Sequence, residues 1–373
     1  MSILDGWDGW DGWDGWDGWD GWGSGSGSRG PRGNNAMALL RSREAVVGPY
    51  GGSGQLRMPR GTADLPEAHD TDALMSWSRD VRHRILLNEL LSSVQYEASV
   101  GRVMLAHGNQ LIAGVSRPNS KLFEAQANLV EEWAIHRAER AAEILAQQKL
   151  NLAFWDAIVP LNPRTTPFTI ELILLSVAFT SHVVQRFKHE LNCPRPRAYS
   201  PRIQPLLAEP GYSVLPSGHA TESFMLAGLL ASLIQPKKQQ PPARAAEQKA
   251  WFDETSLQMH RLAARIATNR VVAGIHFPVD NAAGQLLGVT LAEFIEHCAL
   301  GSQGRGWIPR EFLGTHGLLT GRFEFDPFDR TQSLVEPRDD YVKTNLDARS
   351  GTKVTAPIEM IEWIWGKARA EWE

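Results

Sequence analysis

Three short segments hold most of the residues able to do chemistry. They read K-x6-R-P from Lys188 to Pro196, P-S-G-H from Pro216 to His219, and R-x5-H-x3-D from Arg270 to Asp280. Two guanidiniums, an ammonium, a hydroxyl, a glycine amide and two imidazoles suit a small tetrahedral oxyanion. Arg195 and Arg270 can each grip such an anion through a planar fork, and Lys188 adds a point charge. The run after His219, ATESFMLAGLLASLI, is apolar enough for a buried helix and stops before Pro236. Ser217 is then its N-cap, where free N–H groups and the helix dipole favour an anion. Gly218 lets the backbone approach a ligand closely.

The two imidazoles divide the work. His276 follows Gly274, which ends the helix carrying Arg270. Asp280, four residues on, can accept the other imidazole N–H and fix tautomer and orientation. It can also cap the next helix, and both roles can coexist. An oriented, neutral His276 can attack phosphorus or ligate a metal oxyanion. His219 is the second imidazole, a general acid or base. Singly, each piece has a plainer reading: Arg195 a solvated loop charge, Ser217-Gly218 an ordinary helix start, His276 a structural histidine. The joint spacing points to one oxyanion pocket.

This constellation resembles the superfamily of type-2 phosphatidic-acid phosphatases, bacterial non-specific acid phosphatases and vanadium-dependent haloperoxidases, over roughly residues 80–300. The resemblance implies an all-α fold, a helical bundle of the haloperoxidase/acid-phosphatase type. It implies that Lys188, Arg195, Ser217, Gly218, His219 and Arg270 surround the oxyanion. His276 is then the phosphatase nucleophile, or the ligand that fixes vanadate as cofactor. His219 protonates the leaving group or assists peroxide activation, and Lys188 polarises bound peroxide. The implied substrates are hydrogen peroxide with a halide, or a phosphate monoester without any metal. The family's usual Ser before the second arginine is Asn269 here. Tyr212 stands where some haloperoxidases place Phe or His beside the halide. Gln185 stands where a chlorinating relative carries Trp, which points to bromide or iodide rather than chloride. The long segment before Lys188 resembles the haloperoxidase branch, whereas CPRPR resembles the phosphatase branch.

Helices must position these residues. Leu87, Leu90, Leu91, Val94 and Ala98 recur at helical spacing, and so do Leu129, Trp133, His136 and Arg140. The segment 136–159 reads as helix up to Pro160. Another helix, 169–191, delivers Lys188 near its end. A proline-rich loop, 194–216, carries Arg195. Helices are expected at 219–234, 251–273 and 280–300, and no alternating run demands a sheet. Residues 301–356 read as extended surface loops. Pro357 opens a last helix with Ile358, Ile361, Trp365 and Ala368 on one side, docked on the body or used in a homo-oligomer.

The 373 residues are 43% hydrophobic and 21% charged, the balance of a globular chain with a real core. Net charge is −4, and the opening repeat alone holds six aspartates, so the remainder is nearly neutral. No basic bias argues for a nucleic-acid partner. Two cysteines, Cys193 and Cys298, make neither a disulfide framework nor a metal cluster. Cys193 lies beside the pocket motif, where a packed thiol or an oxidation-sensitive one can stand. No secretory signal is visible. The apolar stretch 173–184 is short of a spanning helix and contains Thr180, Ser181 and His182. A soluble, cytoplasmic enzyme is expected, not an integral lipid phosphatase.

Three regions follow: 1–70, 71–300 and 301–373. The first is a low-complexity tail read as disordered, with six Asp-Gly-Trp units at 5–22 and a Gly/Ser linker. The Trp units are a repeat expansion or a partner-binding tract, and the latter keeps open a non-catalytic helical scaffold. GPYGGSG at 48–54 lacks the Lys-Ser/Thr ending of a phosphate loop and reads as linker.

Overall fold

A computed structural model describes residues 69–235, 242–314, 342–344 and 356–373, besides residue 42. The Asp-Gly-Trp repeat, the linker after it and the GPYGGSG stretch lie outside these residues, as do 315–341 and 345–355. The unit that includes Asp80–Glu373 carries the site. Of the other unit, which ends at Arg79, the described part holds one 3-10 turn, Thr71–Ser76.

The fold is all-α, with a small sheet at one side. Among the described residues the helices are α1 (Arg79–Ser92), α2 (Ser120–Trp133), α3 (Arg137–Ala146), the short α4 (Ala153–Asp156), α5 (Pro167–Leu191), α6 (Gly218–Ile234), α7 (Pro242–Val272), α8 (Pro278–Leu300) and α9 (Glu359–Ala370). Helix α8 is the hub. Of its 23 residues only Glu293 and Leu300 escape full burial. A helix apolar on every side must be surrounded by others, and α5, α6, α7 and α9 surround this one.

Helices α6 and α8 lie very close. A Cβ on Gly288 would stand 2.4 Å from the Thr221 carbonyl oxygen and 2.9 Å from the Met225 nitrogen. Only glycine lets the two backbones meet there. Gly288→Ala should therefore force the helices apart and cost about 1–3 kcal/mol. Calorimetry of the variant checks this; an unchanged melting temperature would mean that the helices do not sit so near.

The sheet corrects the sequence expectation. Strands β1 (Gln95–Ser99), β2 (Arg102–His107) and β3 (Gln110–Ser116) form an antiparallel meander, β4 (Arg310–Phe312) joins β3 in parallel, and β5 (Val342–Thr344) pairs with β4. The helical stripe ending at Val94 and Ala98 thus breaks after Ser92. Gly101 and Gly108, at φ +73° and +56°, make the turns of the meander. The HGNQ run at 107–110 is a hairpin signal between apolar stretches. Residues 301–314 are also more than surface loop, since Trp307, Arg310 and Phe312 are at most 2% exposed. The Trp307 indole N–H donates to the Leu111 carbonyl at 2.8 Å, tying this segment to the meander.

A second correction concerns 136–159. The expected continuous helix stops at Ala146, and a turn at 147–152 separates it from α4. That break bears on the site.

Helix α5 runs 25 residues and is the one described helix long and apolar enough to cross a membrane. Its most apolar window is 67% buried in the protein, as a core helix is. Helix α9 docks on the body through Ile361, Ile364, Trp365 and Ala368. The Glu371 carboxylate accepts from the N–H groups of Phe168 and Thr169, at 2.7 and 2.8 Å, and so caps the N-terminus of α5. The Arg369 guanidinium donates to the carbonyls of Leu233 and Gln235 at the other end of α6.

Candidate active site

Helix α5 brings Lys188 in its last turn and stops at Asn192, which adopts a left-handed conformation. Lys188 is 2% exposed. Its ammonium donates to the carbonyls of Ser213 and Val214 at 2.8 and 2.9 Å. The following loop folds back beneath it and delivers Arg195, 5% exposed. Arg195 Nε donates to the Tyr212 carbonyl at 3.0 Å, and Nη1 to the Ile275 carbonyl at 2.9 Å. The Tyr212 ring lies 5.3 Å from the lysine nitrogen and 5.2 Å from the guanidinium carbon. Both distances allow a cation–π attraction.

Ser217 is the N-cap of α6, its hydroxyl accepting from Ala220 N–H at 3.4 Å. Its own N–H donates to the Asp280 carbonyl at 3.0 Å, which joins the start of α6 to the start of α8. Two helix N-termini therefore meet, and both dipoles favour negative charge there. Gly218 is not forced by sterics: a Cβ would touch only Val184, at 3.8 Å.

Arg270 ends α7 fully buried. Its Nη2 donates to the Ile144 carbonyl at 3.1 Å. The chain then turns through Gly274, at φ +81°, to His276. His276 Nδ1 lies 3.1 Å from Asp280 Oδ2, the oxygen that also accepts the Phe277 N–H at 2.8 Å. A carboxylate partner makes Nδ1 the donor and leaves the lone pair on Nε2. Asp280 thus serves both suggested roles, orienting the imidazole and capping α8.

Three N–H-bearing nitrogens mark a candidate ligand space. Arg195 Nη2 and Arg270 Nε and Nη1 are buried without a hydrogen-bond partner among the described residues. Leaving buried donors unmet costs roughly 1–3 kcal/mol each. A tetrahedral oxyanion satisfies them, and phosphate and vanadate share that geometry, so this donor set fits either.

The electrostatics are those of a cationic pocket. Burial holds the His276 imidazole well below its usual range, with Lys188, Arg195, His219 and Arg270 adding repulsion. At neutral pH the charges among these are Lys188, Arg195 and Arg270. Burial, then Arg270, pushes His219 down to about 3. Burial, then Arg195, lowers Lys188, and burial raises Asp280. Burial, then Asp280, pushes the Cys193 thiol up to about 12. That makes it a packed thiol rather than a reactive one.

His219 is held in a way the sequence did not suggest. Its Nε2 lies 3.0 Å from the Gln147 carbonyl and 3.1 Å from the Gln148 carbonyl. Carbonyls only accept, so Nε2 carries the proton and Nδ1 the lone pair. These carbonyls belong to the turn that breaks 136–159. A narrow cleft opens beside it, lined by Gln147, Asn151, Phe154, His219, Glu222 and Ile266 among others. Glu222 went unremarked in the sequence, yet it is the single charge in the apolar run after His219. Burial pushes its carboxyl up to about 7, against the pull of Lys188.

The eight residues singled out from the sequence fall at three neighbouring turns: the end of α5 with its loop, the start of α6, and the α7–α8 junction. Residues 170–302 match the family model described as the PAP2 superfamily. No curated protein matches the chain. Members of this superfamily are phosphohydrolases or haloperoxidases. Residues 170–302, which hold every one of the eight, are thus similar to the PAP2 superfamily, which covers the vanadium haloperoxidases.

Proposed function

We propose that this protein binds vanadate as cofactor and oxidises bromide or iodide with hydrogen peroxide. The observation that carries the oxyanion site is the set of unpartnered guanidinium nitrogens of Arg195 and Arg270 beside a neutral, oriented His276. Depth favours small substrates. Lys188, Arg195, Ser217, Arg270, His276 and Asp280 are each at most 5% exposed. Peroxide and halide enter such a pocket more readily than a bulky ester. His276 Nε2 would hold the vanadate, with Arg195, Arg270, Lys188 and the start of α6 around its oxygens. Bound vanadate supplies a Lewis-acidic centre that activates peroxide without a change of oxidation state. Lys188 draws charge from the bound oxygens, and His219 Nδ1 takes up a proton.

A second reading rests on Glu222. In phosphate-monoester hydrolysis, His276 Nε2 attacks phosphorus as the bond to the leaving oxygen breaks, and water then hydrolyses the phosphohistidine. The leaving oxygen needs a proton. Neutral His219 has none to spare at Nδ1, whereas Glu222 in the same cleft, with its carboxyl near 7, does.

Two assays on one purified sample decide between them: bromide- and iodide-dependent oxidation of a phenolic reporter after vanadate loading, and p-nitrophenyl phosphate hydrolysis without metal. Halide turnover that needs vanadate supports the first reading. Phosphatase turnover that vanadate inhibits, with no halide oxidation, replaces it with the second. In that case the rate should fall as pH rises through about 7, where Glu222 loses its proton. Glu222→Gln should abolish that limb. Absence of both activities would sink the enzyme readings and return attention to a helical scaffold.

A further inference from the structure

One buried polar cluster near the pocket is outside the oxyanion set. Asn269 is fully buried, and its amide nitrogen donates to Glu143 Oε1 at 2.9 Å and to Gln147 Oε1 at 2.8 Å. The Gln147 amide donates to the same Glu143 oxygen at 3.1 Å. Arg265 closes the cluster with a two-pronged grip on Glu143, Nε at 3.1 Å and Nη2 at 2.8 Å. Burial raises the Glu143 carboxyl, but the bonds from Arg265 and Asn269 outweigh it and hold the group below its usual range.

The cluster joins α7 to the C-terminal end of α3. That end has three carbonyls aimed at the site. Ile144 accepts from Arg270 Nη2, and Gln147 and Gln148 accept from His219 Nε2. Helix ends fray unless something holds their last turn. Here the holding group is one residue before Arg270. We propose that Asn269, clamping Glu143 and Gln147, is a positioning residue that fixes the end of α3 so that its carbonyls aim Arg270 and His219 at the oxyanion. This rests on the oxyanion-enzyme reading.

The choice of side chain has a reason. Two acceptor oxygens on different residues must be bridged at once. An amide nitrogen carries two N–H groups, whereas the serine usual at this position in the family carries one donor. With the end of α3 free, the Ile144 carbonyl no longer fixes the guanidinium, and the nitrogens meant for the ligand lose their direction. His219 loses the acceptors that keep its proton on Nε2.

The test uses the full chain, inorganic phosphate as probe and calorimetric titration, with imidazole N–H signals followed by NMR. Wild type should bind phosphate and show a protected His219 Nε2–H signal. Asn269→Ala should weaken phosphate binding about tenfold or more, as loss of outer-shell partners does at ligand sites, and lose the His219 signal. Asn269→Ser should recover part of both. Arg82→Met, which breaks the remote ion pair with Glu171, should lower stability with phosphate affinity unchanged, separating aim from general loosening. If Asn269→Ala is not recovered folded, Gln147→Met cuts the same link while keeping the main-chain carbonyl. Wild-type affinity and an intact His219 signal in Asn269→Ala or Gln147→Met would overturn the clamp. Failure of wild type itself to bind phosphate or vanadate would overturn the oxyanion reading and the clamp together, and no variant enters that result.

Discussion

His276→Ala should abolish turnover while sparing much of the phosphate affinity. The reason is the division of labour in the pocket. On the proposed reading, holding the anion falls to the nitrogens of Arg195 and Arg270 that lack partners among the described residues, and to the start of α6. On the same reading bond-making falls to one lone pair, on His276 Nε2, because Nδ1 is committed to Asp280 at 3.1 Å. Burial, with the charges of Lys188, Arg195 and Arg270 added, holds this ring well below its usual range, so the lone pair is present at neutral pH. Removing the central group of a unit that acts together costs on the order of 10⁴ or more in rate. Titration with phosphate should still give binding. Retained turnover above a hundredth of wild type would remove His276 from the chemistry, in either reaction.

Arg270→Met should have the second-largest effect, and it should split in sign. Turnover should drop about 10²- to 10³-fold, the loss seen when a preorganised donor to a developing charge is deleted. The ligand-free protein, however, should become more stable. Arg270 is fully buried with Nε and Nη1 unmet among the described residues, and burial lowers its pKa to about 10. An apolar side chain of similar length removes that desolvation cost, a gain on the order of 1 kcal/mol or more. Wild type should recover its deficit from the ligand. Phosphate or vanadate at a hundred times its dissociation constant stabilises by about 2.7 kcal/mol, and Arg270→Met should not share this. Melting curves with and without anion report both halves. A variant less stable than wild type without anion would show that Arg270 is structural first.

The placement of the candidate residues was legible in the sequence because they are side chains at fixed spacing on recognisable elements. Lys188, Arg195, Ser217, His276 and Asp280 occupy the elements that the caps and breakers around them suggest. The parts contributed by main chain were not legible. Nothing in residue types 147 and 148 announces that their carbonyls take up His219; that depends on where a helix stops. The stop itself was hidden, since AQQKLNL contains neither Gly nor Pro and keeps helical propensity. Asn269 looked like a minor departure from a serine, because its partners lie more than a hundred residues away. The meander at 95–116 was missed for another reason. Val94 and Ala98 continue a helical spacing by chance, and Gly101 with the Gly-Asn pair at 108–109 marked turns that outweigh it. Glu222 could have been found, as a lone carboxyl in an apolar helix.

The capping of α5 by Glu371 has a consequence for how the molecule is made. The N-terminus of the helix that delivers Lys188 receives its capping carboxylate from a residue 202 to 203 positions further along the chain. Such a loop is slow to close, because its entropy must be met before the contact returns anything. During synthesis, α5 emerges long before Glu371, with its first N–H groups open and its apolar surface uncovered. A growing chain that stops short of residue 371 should therefore be a good client for chaperones. The oxyanion pocket should gain its affinity late, when α9 docks, rather than when its own residues have all been added.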